Sequence, residues 1–142
     1  MNVVDTNVLV YAVDPLSAFH SRAKRWLDGE ISSGRRVLIP WLALVGFVRL
    51  TTLASLAMNP MTTDEAIDIV EAWLGNANVI CPQPDGRHMS RVREILAATA
   101  PAGGNLVNDA HIAALALQYK ANIVSFDNDF ARFPEVRWVQ PA

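Results

Sequence analysis

Four aspartates stand where an apolar stretch gives way to polar residues. Asp5 closes the run Met1-Asn2-Val3-Val4, and Asp109 opens a long apolar segment after a glycine pair. Asp127 and Asp129 follow Asn122-Ile123-Val124-Ser125-Phe126. In a parallel α/β fold, ligands bind outside the carboxyl ends of the strands, where helices begin. A fold of that kind gathers these carboxylates into one pocket. Several anions so close together do not all stay ionised without a cation among them. The candidate ligands are oxygen donors, which select Mg²⁺ or Mn²⁺ over zinc. Such a site polarises a phosphoryl oxygen, delivers a metal-bound hydroxide and neutralises charge in an in-line displacement. Phosphodiester hydrolysis is the chemistry that fits.

Each acid also has an ordinary structural use. Asp5-Thr6-Asn7 can cap a helix, because all three side chains bond readily to nearby backbone N–H groups. An acid in the first turn of a helix, as at Asp109, is favoured by the helix dipole. Asp127, Asn128 and Asp129 are common turn residues. The signal lies in their coincidence at strand ends and helix starts.

Other candidates weigh less. His111 lies two positions after Asp109, which on a helix points it about 200° away; a structural or surface role suits it better than that of a general base. His20 and His88 read as surface residues. Trp26 and Trp73 fall on apolar helix faces and belong to the core, whereas Trp41 follows a strand and Pro40 and is the tryptophan to watch for base stacking. Gly103-Gly104 lacks the GxxxxGKS/T pattern of a phosphate loop. Cys81 is the single cysteine, which excludes a disulfide framework and a Cys-rich zinc site and fits a reducing cytoplasm. A net charge of −2 argues against a generic nucleic-acid binder. The positive charge is mostly arginine, ten against two lysines, and arginine carries a planar fork suited to phosphate.

The elements that must position the acids follow from periodicity and breakers. At 142 residues and 51% hydrophobic, the chain is sized for one domain, 1–142, with a sheet buried on both faces. Strands are expected at 2–5, Val37–Ile39, Asn78–Cys81 and Asn122–Phe126, with an edge strand at Val136–Val139. Helices are expected at Thr6–Ala12, Ser17 to about Ile31, Pro40 to about Met58, from Thr62 through Leu74, Asp85 to about Ala100, and Leu106–Tyr119. Inward positions on the fifth are Met89, Val92, Ile95 and Leu96. Thr62 to Glu65 has the form of a capped helix start. The stretch Leu38–Ala57 is broken by Pro40, Arg49, Thr51 and Thr52, so it reads as a buried helix, and no segment reads as a membrane span. Strands alternating with helices give an α/β class, a three-layer αβα sandwich around a mostly parallel sheet of four to five short strands.

Asp5-Thr6-Asn7 after a short first strand, Asn108-Asp109-Ala110 opening an Ala/Leu-rich helix, and Ser125-Phe126-Asp127-Asn128-Asp129-Phe130 near the end together resemble a PIN domain. Within that family the chain is similar to the VapC toxins of bacterial type II toxin–antitoxin systems, over essentially its whole length. The resemblance implies a Mg²⁺- or Mn²⁺-dependent ribonuclease that cuts structured RNA such as tRNA or rRNA. It also implies a cytoplasmic homodimer held inactive by a cognate VapB-type antitoxin. Asp5 and Asp109 would be the main metal ligands. Asp127 and Asp129 occupy the last acidic motif, with the one that faces the metal left open. Ser125 stands where the family often has Thr and would position an acid or water; Thr6, Asn7 and Arg49 would support the site.

One position departs from the pattern. The family usually has Glu on the helix after the second strand, in a form like E-x-x-R. Here Gly46-Phe47-Val48-Arg49 stands there, and no Glu or Asp occurs between Ile31 and Thr63. Arg49 remains to steady an acid, bind phosphate or form an ion pair. The departure and the acidic net charge keep a second reading open, a PIN-like RNA- or partner-binding module with weak or no nuclease activity. A third and weaker reading is a small phosphatase or receiver-type domain, which needs a DxDxT nucleophile motif or a late-strand Lys beside an aspartate pair; neither is present, since Lys120 ends a helix. Antitoxin tails commonly lay an apolar helix and a basic side chain in the acidic groove. The expected groove is near the helices from Ser17 and Pro40, with Phe19, Trp26, Trp41 and Phe47.

Overall fold

The structure, a computed structural model, describes residues 1–54, 59–99, 103–104 and 106–142. Its strands are β1 (Asn2–Val4), β2 (Val37–Leu38), β3 (Val79–Ile80), β4 (Asn122–Val124) and β5 (Trp138–Val139). The helices are α1 (Thr6–Val13), α2 (His20–Ser32), α3 (Trp41–Thr52), α4 (Thr63–Leu74), α5 (His88–Ala97) and α6 (Leu106–Tyr119). A 3₁₀ turn covers Asn128–Arg132.

The strands form one sheet in the order β3-β2-β1-β4-β5, and every pairing is parallel. Alternate residues face opposite sides of a strand, and the packing follows that rule. Val3, Leu38 and Ile123 face a core shared with α5, α6 and the 3₁₀ turn. Val4, Val37, Ile39 and Val124 face the other core, shared with α1 to α4. Two cores on one sheet make the three-layer αβα sandwich expected from the alternation of elements. From β1 the chain steps outward to β2 and β3, then returns to place β4 on the other side of β1. The order therefore reverses between β1 and β4, and such a reversal leaves a crevice at the strands' carboxyl ends.

Several boundaries differ from expectation, each for a local reason. α2 starts at His20, not Ser17, because the Ser17 hydroxyl accepts from Phe19 N at 3.1 Å and holds a turn there. α5 starts at His88, not Asp85, because Asp85 Oδ1 accepts from Arg87 N at 3.0 Å in the same manner. α3 ends at Thr52 rather than near Met58. The Thr51 and Thr52 hydroxyls bond back to the Phe47 and Val48 carbonyls at 2.8 and 2.7 Å, and Met61 N takes the Thr51 carbonyl at 2.8 Å. Met58, like Ala100, Pro101 and Ala102 of the expected helix end and loop, lies outside the described residues. The inward stripe of α5 is turned by one position: Met89 is 71% exposed and His88 is buried in its place. Thr62 caps α4 as expected, in a reciprocal pair with Glu65.

Candidate metal centre and active site

Asp5 leaves β1 and caps α1, with its Oδ1 accepting from Thr6 N at 2.8 Å. Its Oδ2 accepts from Ser125 Oγ at 2.7 Å and from Asn7 Nδ2 at 3.2 Å. Asp5 N donates to Val124 O at 3.0 Å, which extends the β1–β4 ladder to the crevice. Ser125 is fully buried and joins several partners. Besides donating to Asp5, its Oγ accepts from Asn7 Nδ2 at 3.1 Å and from Asp127 N at 2.9 Å. Its carbonyl accepts from Trp138 Nε1 at 2.8 Å. Asn7 completes the tie by accepting from Phe126 N at 3.1 Å. The capping use of Asp5 and its place in the crevice thus coexist, and α1 is fastened to the end of β4 by side chains about 120 residues apart in sequence.

Asp127 caps the 3₁₀ turn, its Oδ1 accepting from Asp129 N at 2.9 Å. That turn swings Asp129 back beside Asp127. Asp109 reaches the same place from the first turn of α6. Asp109, Asp127 and Asp129 each offer a carboxylate oxygen, and these atoms lie within 4.8 Å of one another. Asp5 is outside that trio, yet its charge acts on Asp109. The Asp109 carboxyl is pushed up to about 7, first by burial and then by the negative charges of Asp5, Asp127 and Asp129. Asp5 is also raised, by burial above all, against the lowering effect of the Ser125 and Thr6 hydrogen bonds. The donor set is hard and anionic, and burial, with the neighbouring negative charges, has raised the proton affinity of Asp109. Both properties fit a small divalent cation of the Mg²⁺ or Mn²⁺ type.

The missing helix carboxylate has a steric counterpart. A Cβ built on Gly46 would lie 3.0 Å from Thr6 Cγ2 and 3.1 Å from Thr6 Oγ1. α3 therefore passes α1, beside Thr6, at a separation that suits glycine. Arg49 is exposed and forms no ion pair among the described residues.

His111 faces away from the carboxylates. Its Nδ1 lies 2.7 Å from Nε2 of His88, and the two rings meet edge to face. Burial lowers both imidazoles below the usual histidine range. His88 is not a surface residue as expected, because it occupies the α5 face turned toward α6. His20 sets Nδ1 2.8 Å from the Tyr11 carbonyl. In the expected apolar groove, Phe47 is fully buried and packs on Trp73, so it is core. Trp26 is half-buried against the same core, whereas Phe19 and Trp41 are exposed. Trp138 is a residue whose positioning role was not apparent beforehand, since its partner is a backbone carbonyl.

A sheet reversed at β1/β4 with acids at both strand ends defines a class, and comparison with known proteins agrees. The PIN domain family model matches residues 3–136. The chain belongs to the PIN-domain family. It is 45% identical over 141 residues to "Ribonuclease VapC37" of Mycobacterium tuberculosis (strain ATCC 25618 / H37Rv), covering 99% of this chain and 97% of that protein. It is 34% identical to "Ribonuclease VapC33" of the same strain, over 99% of this chain and 98% of the relative. Among solved structures, the Mycobacterium tuberculosis VapC20, a "Sarcin-Ricin loop cleaving toxin", superposes with a TM-score of 0.70 at 21% identity, covering 96% of this chain and 99% of that one. VapBC2 from Rickettsia felis, bound to a promoter DNA fragment, gives 0.68 at 17% identity, covering 98% and 97%. At these identities the two structures speak for the fold. Among the described residues, no helix is long and apolar enough to cross a membrane.

Proposed function

We propose that this protein is a metal-dependent endoribonuclease, the toxin of a type II toxin–antitoxin module, hydrolysing phosphodiester bonds in structured RNA such as tRNA or rRNA. The observation that carries the reading is the convergence of Asp109, Asp127 and Asp129 at the crevice beside Asp5. The whole-length kinship with proteins named ribonuclease VapC supports the reaction class. The sarcin–ricin-cleaving neighbour supports a structured RNA substrate, and the VapBC neighbours support a VapB-type antitoxin as partner. The working unit is one PIN-like domain over 1–142, cytoplasmic and homodimeric.

Mg²⁺ or Mn²⁺ would be held by Asp109, Asp127 and Asp129, with Asp5 alongside. A bound cation of this type supplies Lewis-acid polarisation of the phosphate and a water of lowered pKa. The protein's own residues prepare that chemistry. Asp5 already accepts from Thr6 N, Ser125 and Asn7, which fixes its carboxylate plane. A carboxylate has about four lone-pair directions, so Asp5 retains acceptor capacity toward the crevice. Ser125 sets both Asp5 and the Asp127 backbone with one oxygen. Asp109, raised to about 7, takes up a proton as pH falls through neutrality, and a cation that neutralises the pocket would displace that proton.

The test is incubation of purified protein with total RNA, with and without Mg²⁺ or Mn²⁺, followed by mapping of new 5′ ends. Discrete metal-dependent ends are expected. Intact RNA over a wide metal range would favour the second reading, a PIN-like RNA- or partner-binding module. The observation behind that alternative is the close approach of Gly46 to Thr6, where α3 brings no carboxylate.

A further inference from the structure

Beside the carboxylates stands a group of rings that the hydrolysis does not use. Tyr11, Phe19 and Phe126 meet one another, with centroid separations of 5.4 Å (Tyr11–Phe19), 5.4 Å (Tyr11–Phe126) and 4.7 Å (Phe19–Phe126). The guanidinium of Arg22 lies over two of them, 5.6 Å from the Phe19 centroid and 5.3 Å from that of Phe126. It is held there because Nε and Nη2 both donate to the Pro141 carbonyl, at 3.0 and 2.7 Å. That carbonyl is neutral, and Arg22 forms no ion pair among the described residues. The result is a fixed cation stacked on an aromatic base, and stacked arginine retains outward donors.

The group is joined to the acidic crevice by covalent and hydrogen bonds. Phe126 sits between Ser125 and Asp127, and its backbone N–H is held by Asn7. Tyr11 lies four residues beyond Asn7 on α1, on the same face of the helix. Among the three rings only Phe19 is openly exposed, at 38%; Tyr11 and Phe126 are half-buried behind it.

We infer that Phe19 and Arg22 form a nucleotide subsite for the RNA strand, the Phe19 ring stacking a base and the Arg22 guanidinium facing a backbone phosphate next to the cleavage site. The inference rests on the ribonuclease reading and specifies how the substrate is held. An exposed ring beside a guanidinium held in place by a backbone carbonyl matches the size and charge of a nucleotide. Base stacking on an aromatic ring tolerates any base, and the guanidinium held over Phe19 and Phe126 offers a phosphate a planar donor fork.

The test uses the Asp109→Asn protein in Mg²⁺, so that binding is read without cleavage, and a 5′-fluorescein-labelled twelve-nucleotide adenylate RNA followed by anisotropy. Adding Phe19→Ala is expected to weaken binding about tenfold, while Phe19→Trp restores it. Arg22→Ala is expected to weaken binding and to flatten its salt dependence. With an abasic oligomer of the same length, the Phe19→Ala effect disappears. Thermal melts of Phe19→Ala serve as the control for folding. The inference is overturned by equal RNA affinity with and without the Phe19 ring, by an equal loss on the abasic oligomer, or by no RNA binding from the Asp109→Asn parent. Unchanged RNA affinity with lost binding of an antitoxin-type helical peptide also overturns it, and assigns the ring to a protein partner. Wild-type protein that cleaves no RNA refutes the nuclease reading alone, since the Phe19 comparison still decides the subsite.

Discussion

The Ser125 hydroxyl lies 2.7 Å from Oδ2 of Asp5, and this one oxygen also receives N–H groups from Asn7 and Asp127. Removing it has two consequences. Asp5, already raised by burial, loses its largest lowering influence and rises further. Two donors lose their acceptor in a fully buried place. An unsatisfied buried polar group costs about 1–3 kcal/mol. Ser125→Ala is therefore expected to lose about 2 kcal/mol or more of stability in urea titrations, with a steep fall in metal-dependent RNA cleavage. A stability change under about 0.5 kcal/mol would contradict the central place given to this hydroxyl.

Much of this site is legible in the chain. Asp5 and Asp127 declare themselves because each follows a short run of β-branched residues, and Asp109 because it precedes an unbroken apolar helix. The three-layer arrangement follows from the alternation of those patterns. The ties that make the pocket are not legible, because Asn7 and Ser125 are small polar residues whose partners lie over a hundred residues away. His88 shows a misread signal. Its neighbours Arg87 and Arg91 suggest a surface, yet His88, Val92 and Ile95 share one helical stripe, and that stripe faces the core. Phe19 is the reverse case. It continues the apolar stripe of α2 in sequence, but the helix starts only after it, so the ring turns outward onto Tyr11 and Phe126.

Asp109 sets the pH dependence of the metal-free protein. Its carboxyl stands at about 7 when folded and in the ordinary range near 3.8 when unfolded. Between those values the folded state holds a proton that the unfolded state has lost, so the contribution to stability is full below about pH 4 and falls as pH rises toward 7. Asp109→Asn removes that titration. In the absence of divalent ions its melting temperature is expected to exceed that of the wild type at pH 8, with the advantage shrinking toward pH 5. Parallel melting curves of the two proteins across that range would show that Asp109 does not titrate as placed.

Divalent ions should act on the same equilibrium. Cation binding requires the deprotonated carboxylate and releases its proton, and a ligand that binds only the folded state raises stability. Mg²⁺ or Mn²⁺ is thus expected to raise the melting temperature more at pH 8 than at pH 5. The increment should be lost in Asp109→Asn and reduced in Asp127→Asn and Asp129→Asn. Calorimetry in buffers of different ionisation enthalpy reads the released proton directly, and heats independent of buffer would contradict the scheme.

Catalysis separates the acids from the fold. Asp5→Asn keeps the size and acceptor oxygen of the helix cap while removing the negative charge beside Asp109. Helix 1 should persist, because Asn caps about as well as Asp. RNA cleavage and growth arrest are expected to vanish in both Asp5→Asn and Asp109→Asn, with far-UV circular dichroism unchanged. Cleavage at the wild-type rate by either purified variant removes that residue from the active site.

Gly46 tests whether the α1–α3 approach is a packing requirement. In an ordinary helix interior, Gly→Ala gains up to about 1 kcal/mol. Here the added Cβ meets Thr6 Cγ2 at 3.0 Å and Oγ1 at 3.1 Å. Overpacking of that kind costs about 1–3 kcal/mol, so the clash outweighs the propensity gain and Gly46→Ala is expected to be net destabilising. Thr6→Ala removes both offending atoms and leaves Thr6 Cβ at 3.7 Å, an ordinary contact. The double variant Gly46→Ala/Thr6→Ala should then recover most of the loss, a coupling that a double-mutant cycle measures directly. If the two substitutions add without coupling, the close approach of α1 to α3 is not what keeps glycine at this position.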